Sequence, residues 1–181
     1  MNYNELAKTI HANNVAVGWW DNKDSVDPLE KLQLVSTEIA EATEGERKNI
    51  MDDHLPHRRM GEVELADAMI RLLDFGGAYG CVYDKRDGWL CNNLIDIAKS
   101  VAGKHLAINA AIIDLARNFV GADTRIHRID ERFTQCVHII EHVANDLGYD
   151  LEAAMTEKLA YNEQRADHKR ENRAKEGGKA F

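Results

Sequence analysis

Only two prolines, Pro28 and Pro56, interrupt the 181 residues, and apolar side chains recur at three- and four-residue spacing along most of the chain. Long helices are the natural outcome, because proline removes an amide donor and clashes with the preceding turn. Hydrophobic residues at 44% are enough to give each helix a buried face. No segment sustains the strict apolar–polar alternation of a half-buried strand. The expected fold class is therefore all-α, a helical bundle. A membrane-crossing helix needs about 18 or more consecutive apolar residues, and no such run exists.

Local signals place the helices. Asp27-Pro28-Leu29-Glu30 is a helix start, with Asp27 as cap, Pro28 at the first helical position and Glu30 able to close a capping box. Leu32, Val35, Ile39 and Ala42 then fall within about an 80° arc of a 3.6-residue wheel, predicting a helix over 27–47. It follows a first helix that carries His11. Residues 48–60 contain Pro56 and no clean period, and read as a connection. A second acidic helix is predicted over 61–75, with Val63, Ala66, Ile70 and Leu73 as its stripe and Gly76, Gly77 and Gly80 as its stop. Residues 83–88 read as a turn. Residues 91–120 read as helix with a break near Gly103 and a stop at Gly121. Ile129, Phe133, Cys136, Ile140, Val143 and Leu147 align over 125–147, before Gly148. Asp150 caps a last helix running to about residue 170. Residues 1–170 form one expected domain, and 171–181 form a basic tail.

Acids outnumber bases 31 to 23, for a formal charge of −8. That balance argues against a long nucleic acid as partner, which would need a basic footprint. An anionic small ligand is still compatible, because a bound divalent cation inverts the local sign. Cys81, Cys91 and Cys136 form no CxxC pair and no disulfide framework. The first residues have neither a basic segment nor an apolar core, so a secretory signal is not expected. The expected setting is cytoplasmic, without a membrane.

Glu38 and Glu41 lie three residues apart, so both carboxylates project from one side of their helix. Glu64 and Asp67 repeat the arrangement on the next. Both pairs border the apolar stripe, so antiparallel packing through the stripes brings four carboxylates together across the seam. Roughly five acid-x-x-acid pairs are expected by chance in a chain this acidic, which makes the joint placement, rather than either pair, the informative feature. Like charges 4 Å apart repel by about 4 kcal/mol at an effective dielectric near 20, so such a cluster needs a counter-charge. Oxygen-only ligation suits Mg²⁺, with Mn²⁺ as the alternative, and either cation commonly bridges to phosphates.

Further candidates surround these acids. Lys158, Asn162 and Arg165 stand at i, i+4 and i+7 on one face of the last helix. Lysine and arginine suit phosphate oxygens, and asparagine suits a base edge or sugar hydroxyl. Arg71, one turn beyond Asp67, reaches either toward phosphates or to Asp67 or Asp74. Trp19-Trp20 precedes the first acidic helix, where Trp20 is the favoured indole for stacking on a base, and His11 is a candidate for the same pocket. His138-Ile139-Ile140-Glu141-His142 fits the inverted zinc-protease pattern HxxEH. Its histidines lie opposite the apolar stripe, though, facing solvent or a partner, and too little chain follows to complete a protease.

Residues 34–49, LVSTEIAEATEGERKN, followed by 61–77, GEVELADAMIRLLDFGG, resemble the MazG-like, all-α nucleoside triphosphate pyrophosphohydrolases. The signature is an ExxE helix followed by an ExxD helix, here Glu38/Glu41 and Glu64/Asp67. Residues 157–181 resemble the tail of phage and bacterial members, with Lys158, Asn162, Arg165 and the Gly177-Gly178-Lys179 ending. Where members often double the acid, this chain has Thr37 before Glu38 and Val63 before Glu64. The resemblance implies a MazG-like core of antiparallel helices, with extra helices in the middle of the chain. It implies that Glu38, Glu41, Glu64 and Asp67 hold Mg²⁺, and that water attacks the α-phosphorus of a nucleoside triphosphate to release the monophosphate and pyrophosphate. Glu41 or Glu38 is the general base or a ligand, the two roles being left open. It also implies a homodimer or homotetramer, with residues 78–149 as subunit interface, in a cytoplasm (the host's, for a phage-encoded chain). The alternative is a non-catalytic helical module that binds nucleotides or proteins.

Overall fold

The computed structural model describes residues 1–21, 26–85, 93–120 and 126–165. These carry seven helices: α1 (Tyr3–Ala16), α2 (Pro28–Lys48), α3 (Met60–Tyr79), α4 (Asn93–Ile97), α5 (Val101–Val120), α6 (Ile126–Asp146) and α7 (Leu151–Gln164). Apart from one isolated bridge between Met51 and Arg59, the described residues contain no strand pairing, so the chain is an all-α bundle. No helix among them is long and apolar enough to cross a membrane.

The helix starts follow from their caps. Asn2 accepts from the Glu5 amide at the head of α1. Asp27 accepts from Leu29 N at 2.9 Å, with Pro28 behind it, and Asp150 accepts from Ala153 N at 3.1 Å. α2 stops at Asn49, whose φ of 51° lies in the left-handed region, where asparagine is better tolerated than most residues.

α3 is the axis of the bundle. Fourteen of its 20 residues are buried, as expected of a helix enclosed on most sides. α1, α2, α6 and α7 all pack against it, while α5 packs on α2 and α6. α2 and α3 run antiparallel: Gly45 lies against Met60 and Gly61, and Glu38, seven residues earlier, reaches Arg71. Val35, Ile39, Ala42, Val63, Ala66, Ile70 and Leu73 are all buried along this seam and around it.

Three boundaries differ from the sequence expectation. α3 continues through Gly76 and Gly77 and ends at Gly80, whose φ is 70°. The earlier two glycines are close-packing positions rather than breakers. A Cβ on Gly76 would lie 2.5 Å from the Phe133 ring of α6, and one on Gly77 would lie 2.5 Å from the Ala7 carbonyl oxygen of α1. The interruption expected near Gly103 falls instead at residues 98–100, and Gly103 sits inside α5, donating its amide to Ser100 Oγ at 3.1 Å. α7 ends at Gln164 rather than near 170. The stop at Gly121, residues 86–88 of the expected turn, residues 166–170 and the 171–181 tail lie outside the described residues.

Gly77→Ala therefore tests the α1–α3 approach. Helix propensity favours alanine by about 1 kcal/mol, but overpacking against a backbone oxygen costs roughly 1–3 kcal/mol. The expected net effect is a lower urea midpoint. Gly103→Ala meets nothing closer than 3.3 Å and should leave the midpoint unchanged or raise it.

Candidate functional site

The antiparallel register of α2 and α3 converts two separate i, i+3 pairs into one cluster. Carboxylate oxygens of Glu38, Glu41 and Glu64 all lie within 4.8 Å of one another. Glu38 and Glu64 are only 5% and 7% exposed, whereas Glu41 is exposed. Asp67 adjoins them, one turn along α3 from Glu64, with its side chain 16% exposed.

Two basic side chains face this charge. Arg71 Nε contacts Glu38 Oε1 at 2.5 Å, and Lys158 Nζ lies 2.9 Å from Asp67 Oδ2. Arg71 thus pairs with Glu38, not with Asp67 or Asp74. Lys158 is 1% exposed, so this member of the α7 face is a buried cation. Its Nζ also lies 3.3 Å from His54 Nδ1. Tyr161 tilts against the His54 ring at 4.7 Å, and the Arg165 guanidinium lies 5.7 Å from the Tyr161 ring.

The connection between α2 and α3 holds α7 in this position. Asp52, buried in the connection, accepts from His54 N and Leu55 N at 2.9 and 2.7 Å, which fixes the local turn. Arg58 and His57 then bind Glu157 at 2.8 and 2.7 Å, and these contacts hold the Glu157 carboxyl down near 2. Lys158 follows Glu157 directly.

Protonation follows from this crowding. Burial first, then the Asp67 charge and a hydrogen bond with Glu38, push the Glu64 carboxyl up to about 9. Burial also raises Asp67, against the lowering effect of Lys158. Burial and the Glu38 charge raise Glu41. Burial opposes the charge on Lys158, yet Asp67 overrides it and holds the ammonium above the ordinary lysine range. Two cations against four carboxylates leave negative charge uncompensated. The donor set is all oxygen, compact and partly desolvated, and so fits a hard divalent cation.

A cleft opens beside the cluster between α1, α2, α3 and α7. Trp20, Asp67, Arg71, Asn162 and Arg165 line it together with Trp19, Leu34 and Asn14. Asn162 Oδ1 is buried there without a hydrogen-bond partner. Trp20 is 5% exposed; its Nε1 donates to both Asp74 oxygens at 3.1 Å. His11 Nδ1 lies 3.0 Å from Asp74 Oδ1 and its ring meets Trp20 edge-on. Lys31 Nζ sits 5.2 Å from the Trp20 ring centre. Trp20 is thus a wall held from several sides, with His11 behind it, while Trp19 is only half-buried. All ten candidate residues therefore lie in, beside or directly behind one feature.

Sequence reasoning missed several participants. Asp74 anchors both Trp20 and His11, and its spacing of seven residues from Asp67 on α3 was a usable signal. Lys31 stands seven residues before Glu38 on α2, again on the same face. His54 lies in an aperiodic connection that carries no such signal. His138 and His142 join no metal-ligating group among the described residues. His142 is exposed as expected. His138 is instead half-covered, its ring 5.3 Å from that of Tyr83 and its Nδ1 3.5 Å from Glu141, because the segment after α3 folds back over α6.

No family model matches the chain, and neither does any curated protein or solved structure.

The raised carboxyls make stability pH-dependent. The folded state holds the Glu64 proton to about 9, whereas an unfolded glutamate releases it near its ordinary value, so folding stability falls as pH rises through that window. Thermal melts without added metal should show a midpoint that declines from about pH 5 to pH 9. Glu64→Gln should flatten that decline; curves that run parallel for the two proteins would show that Glu64 does not carry it.

Proposed function

We propose that this chain is a MazG-like, Mg²⁺-dependent nucleoside triphosphate pyrophosphohydrolase. It hydrolyses a ribo- or deoxyribonucleoside triphosphate to the monophosphate and pyrophosphate. The observation that carries this reading is the union of a compact oxygen-only cluster with a cleft bearing Arg71, Arg165 and Asn162.

Glu38, Glu41, Glu64 and Asp67 would hold the cation, which supplies charge neutralisation for a polyphosphate and a lowered pKa for water. The remaining chemistry belongs to the chain's own side chains. Arg165 and Arg71 bind phosphate oxygens by charge-assisted hydrogen bonds. Lys158 holds Asp67 in place and offsets its charge. Glu41, exposed and with its carboxyl raised by burial and Glu38, is suited to take the proton of the attacking water. The new bond forms at the α-phosphorus, the bond to the β-phosphate bridging oxygen breaks, and pyrophosphate leaves. Asn162 offers its unpartnered acceptor to a sugar hydroxyl or base N–H. Trp20, fixed by Asp74, His11 and Lys31, walls the cleft. Homo-oligomerisation and a cytoplasmic setting belong to the same proposal.

A second reading is a non-catalytic helical module that binds a nucleotide or protein. The Arg71–Glu38 and Lys158–Asp67 pairs favour it, since they satisfy two of the four acids without a metal.

Pyrophosphate release over a panel of NTPs and dNTPs with Mg²⁺ separates the two; release from none by a folded protein contradicts the enzyme. Glu38→Gln and Asp67→Asn are each expected to reduce kcat by at least about 100-fold with the fold retained. Arg165→Ala should mainly raise KM. Lys158→Ala strips a buried carboxylate of its partner and should lower stability by roughly 3–5 kcal/mol, read as a drop in the urea midpoint.

A further inference from the structure

The buried face of α5 is His105, Ala107, Ile108, Ala111, Ile112 and Leu115, so one ionisable side chain stands in an otherwise apolar stripe. His105 is 1% exposed. Its Nδ1 lies 2.8 Å from Thr43 Oγ1 of α2. Its Nε2 is buried and has no hydrogen-bond partner among the described residues.

The hydrogen bonds fix the tautomer. Thr43 has one hydroxyl hydrogen and donates it to the Ile39 carbonyl oxygen at 2.9 Å, which leaves Thr43 Oγ1 to accept from His105 Nδ1–H. The reverse arrangement loses the bond to Ile39 and strands a buried Nε2–H. The neutral imidazole therefore carries its proton on Nδ1, and Nε2 is a bare lone pair. A second proton can go only to Nε2, where no acceptor waits and water is excluded, and a buried charge without partners is costly.

The charged neighbours do little to offset that cost. α5 packs on α2, α6 and α4. Burial lowers the pKa of His105, and Glu46 of α2 opposes this as the lesser influence; the Glu46 carboxylate is itself engaged by the Tyr149 hydroxyl. Asp146 of α6 is paired with Lys104, and Asp96 of α4 is exposed.

We propose that His105 is an acid-sensitive clasp between α5 and α2: neutral, it ties the two helices through Thr43, and a proton on Nε2 drives α5 off α2 so that the imidazolium reaches water. An opened segment takes that proton near the ordinary histidine value of about 6.5, whereas the closed one resists it. The closed form is therefore fully favoured above that pH and loses stability as pH falls through it. This dependence is opposite in sign to that of Glu64, so the two are separable. α2 also carries Glu38 and Glu41, but the clasp stands whether or not the proposed reaction takes place.

Native-state hydrogen exchange of the full chain from about pH 5 to pH 8, corrected for intrinsic exchange rates, tests it. Opening of α5 should be constant above about pH 7 and rise below it by up to about tenfold per pH unit, the limit for one linked proton, while α1 shows no such rise. His105→Asn keeps an N–H for Thr43 but cannot take a proton, and should remove the rise; His105→Phe, which fills the site with an apolar ring, should remove it as well. Nitrogen-15 NMR of the imidazole at pH 8 should place the proton on Nδ1. Protection of α5 that is independent of pH in the unsubstituted protein, a rise that persists in either folded variant, or a neutral imidazole protonated on Nε2 would each overturn the proposal.

Discussion

The register between α2 and α3 is the constraint on which the site depends. It brings oxygens of Glu38, Glu41 and Glu64 within 4.8 Å of one another, in a seam where Glu38 and Glu64 are nearly buried. Charges so close and so poorly hydrated destabilise the seam unless something compensates them. The chain compensates partly, through Arg71, Lys158 and the proton on Glu64. The compensation is incomplete, and the remainder has the sign and donor chemistry of a divalent-cation site.

Much of the bundle serves to hold that arrangement. Gly45 lets the head of α3 approach α2, and Gly76 and Gly77 let α6 and α1 approach α3, at distances that a methyl group would prevent. The Asp52 turn and the Arg58–Glu157–His57 contacts hold α7 in place, so that Lys158 reaches Asp67 on α3. Asp74 orders the other wall by joining Trp20 to His11. The cleft is thus built from α1, α2, α3 and α7, while α4, α5 and α6 build the far side of the bundle.

What was legible in the sequence was local. Helix starts at Asp27 and Asp150 and the i, i+3 acid pairs follow from the 3.6-residue period alone, and the structure contains them. Gly76 and Gly77 misled because a glycine reads locally as a breaker, while the reason for it here is a neighbour 57 to 70 residues away in sequence, Phe133 or Ala7. Ser100, an ordinary cap residue, marked the true break that was sought at Gly103. Lys158 was visible as a member of a face, but its burial depends on His54 and Tyr161, which no periodicity connects to it. Arg71 had three acids within reach along or across the seam, and only the packed register selects Glu38.

Calorimetric titration with Mn²⁺, followed by Mg²⁺, tests the central claim most directly, because it asks whether the carboxylate cluster binds a cation without presuming any reaction. The account predicts saturable binding that is lost in Glu64→Gln and in Asp67→Asn while both proteins stay folded. Absence of binding at millimolar metal, or binding undiminished in those variants, would contradict it.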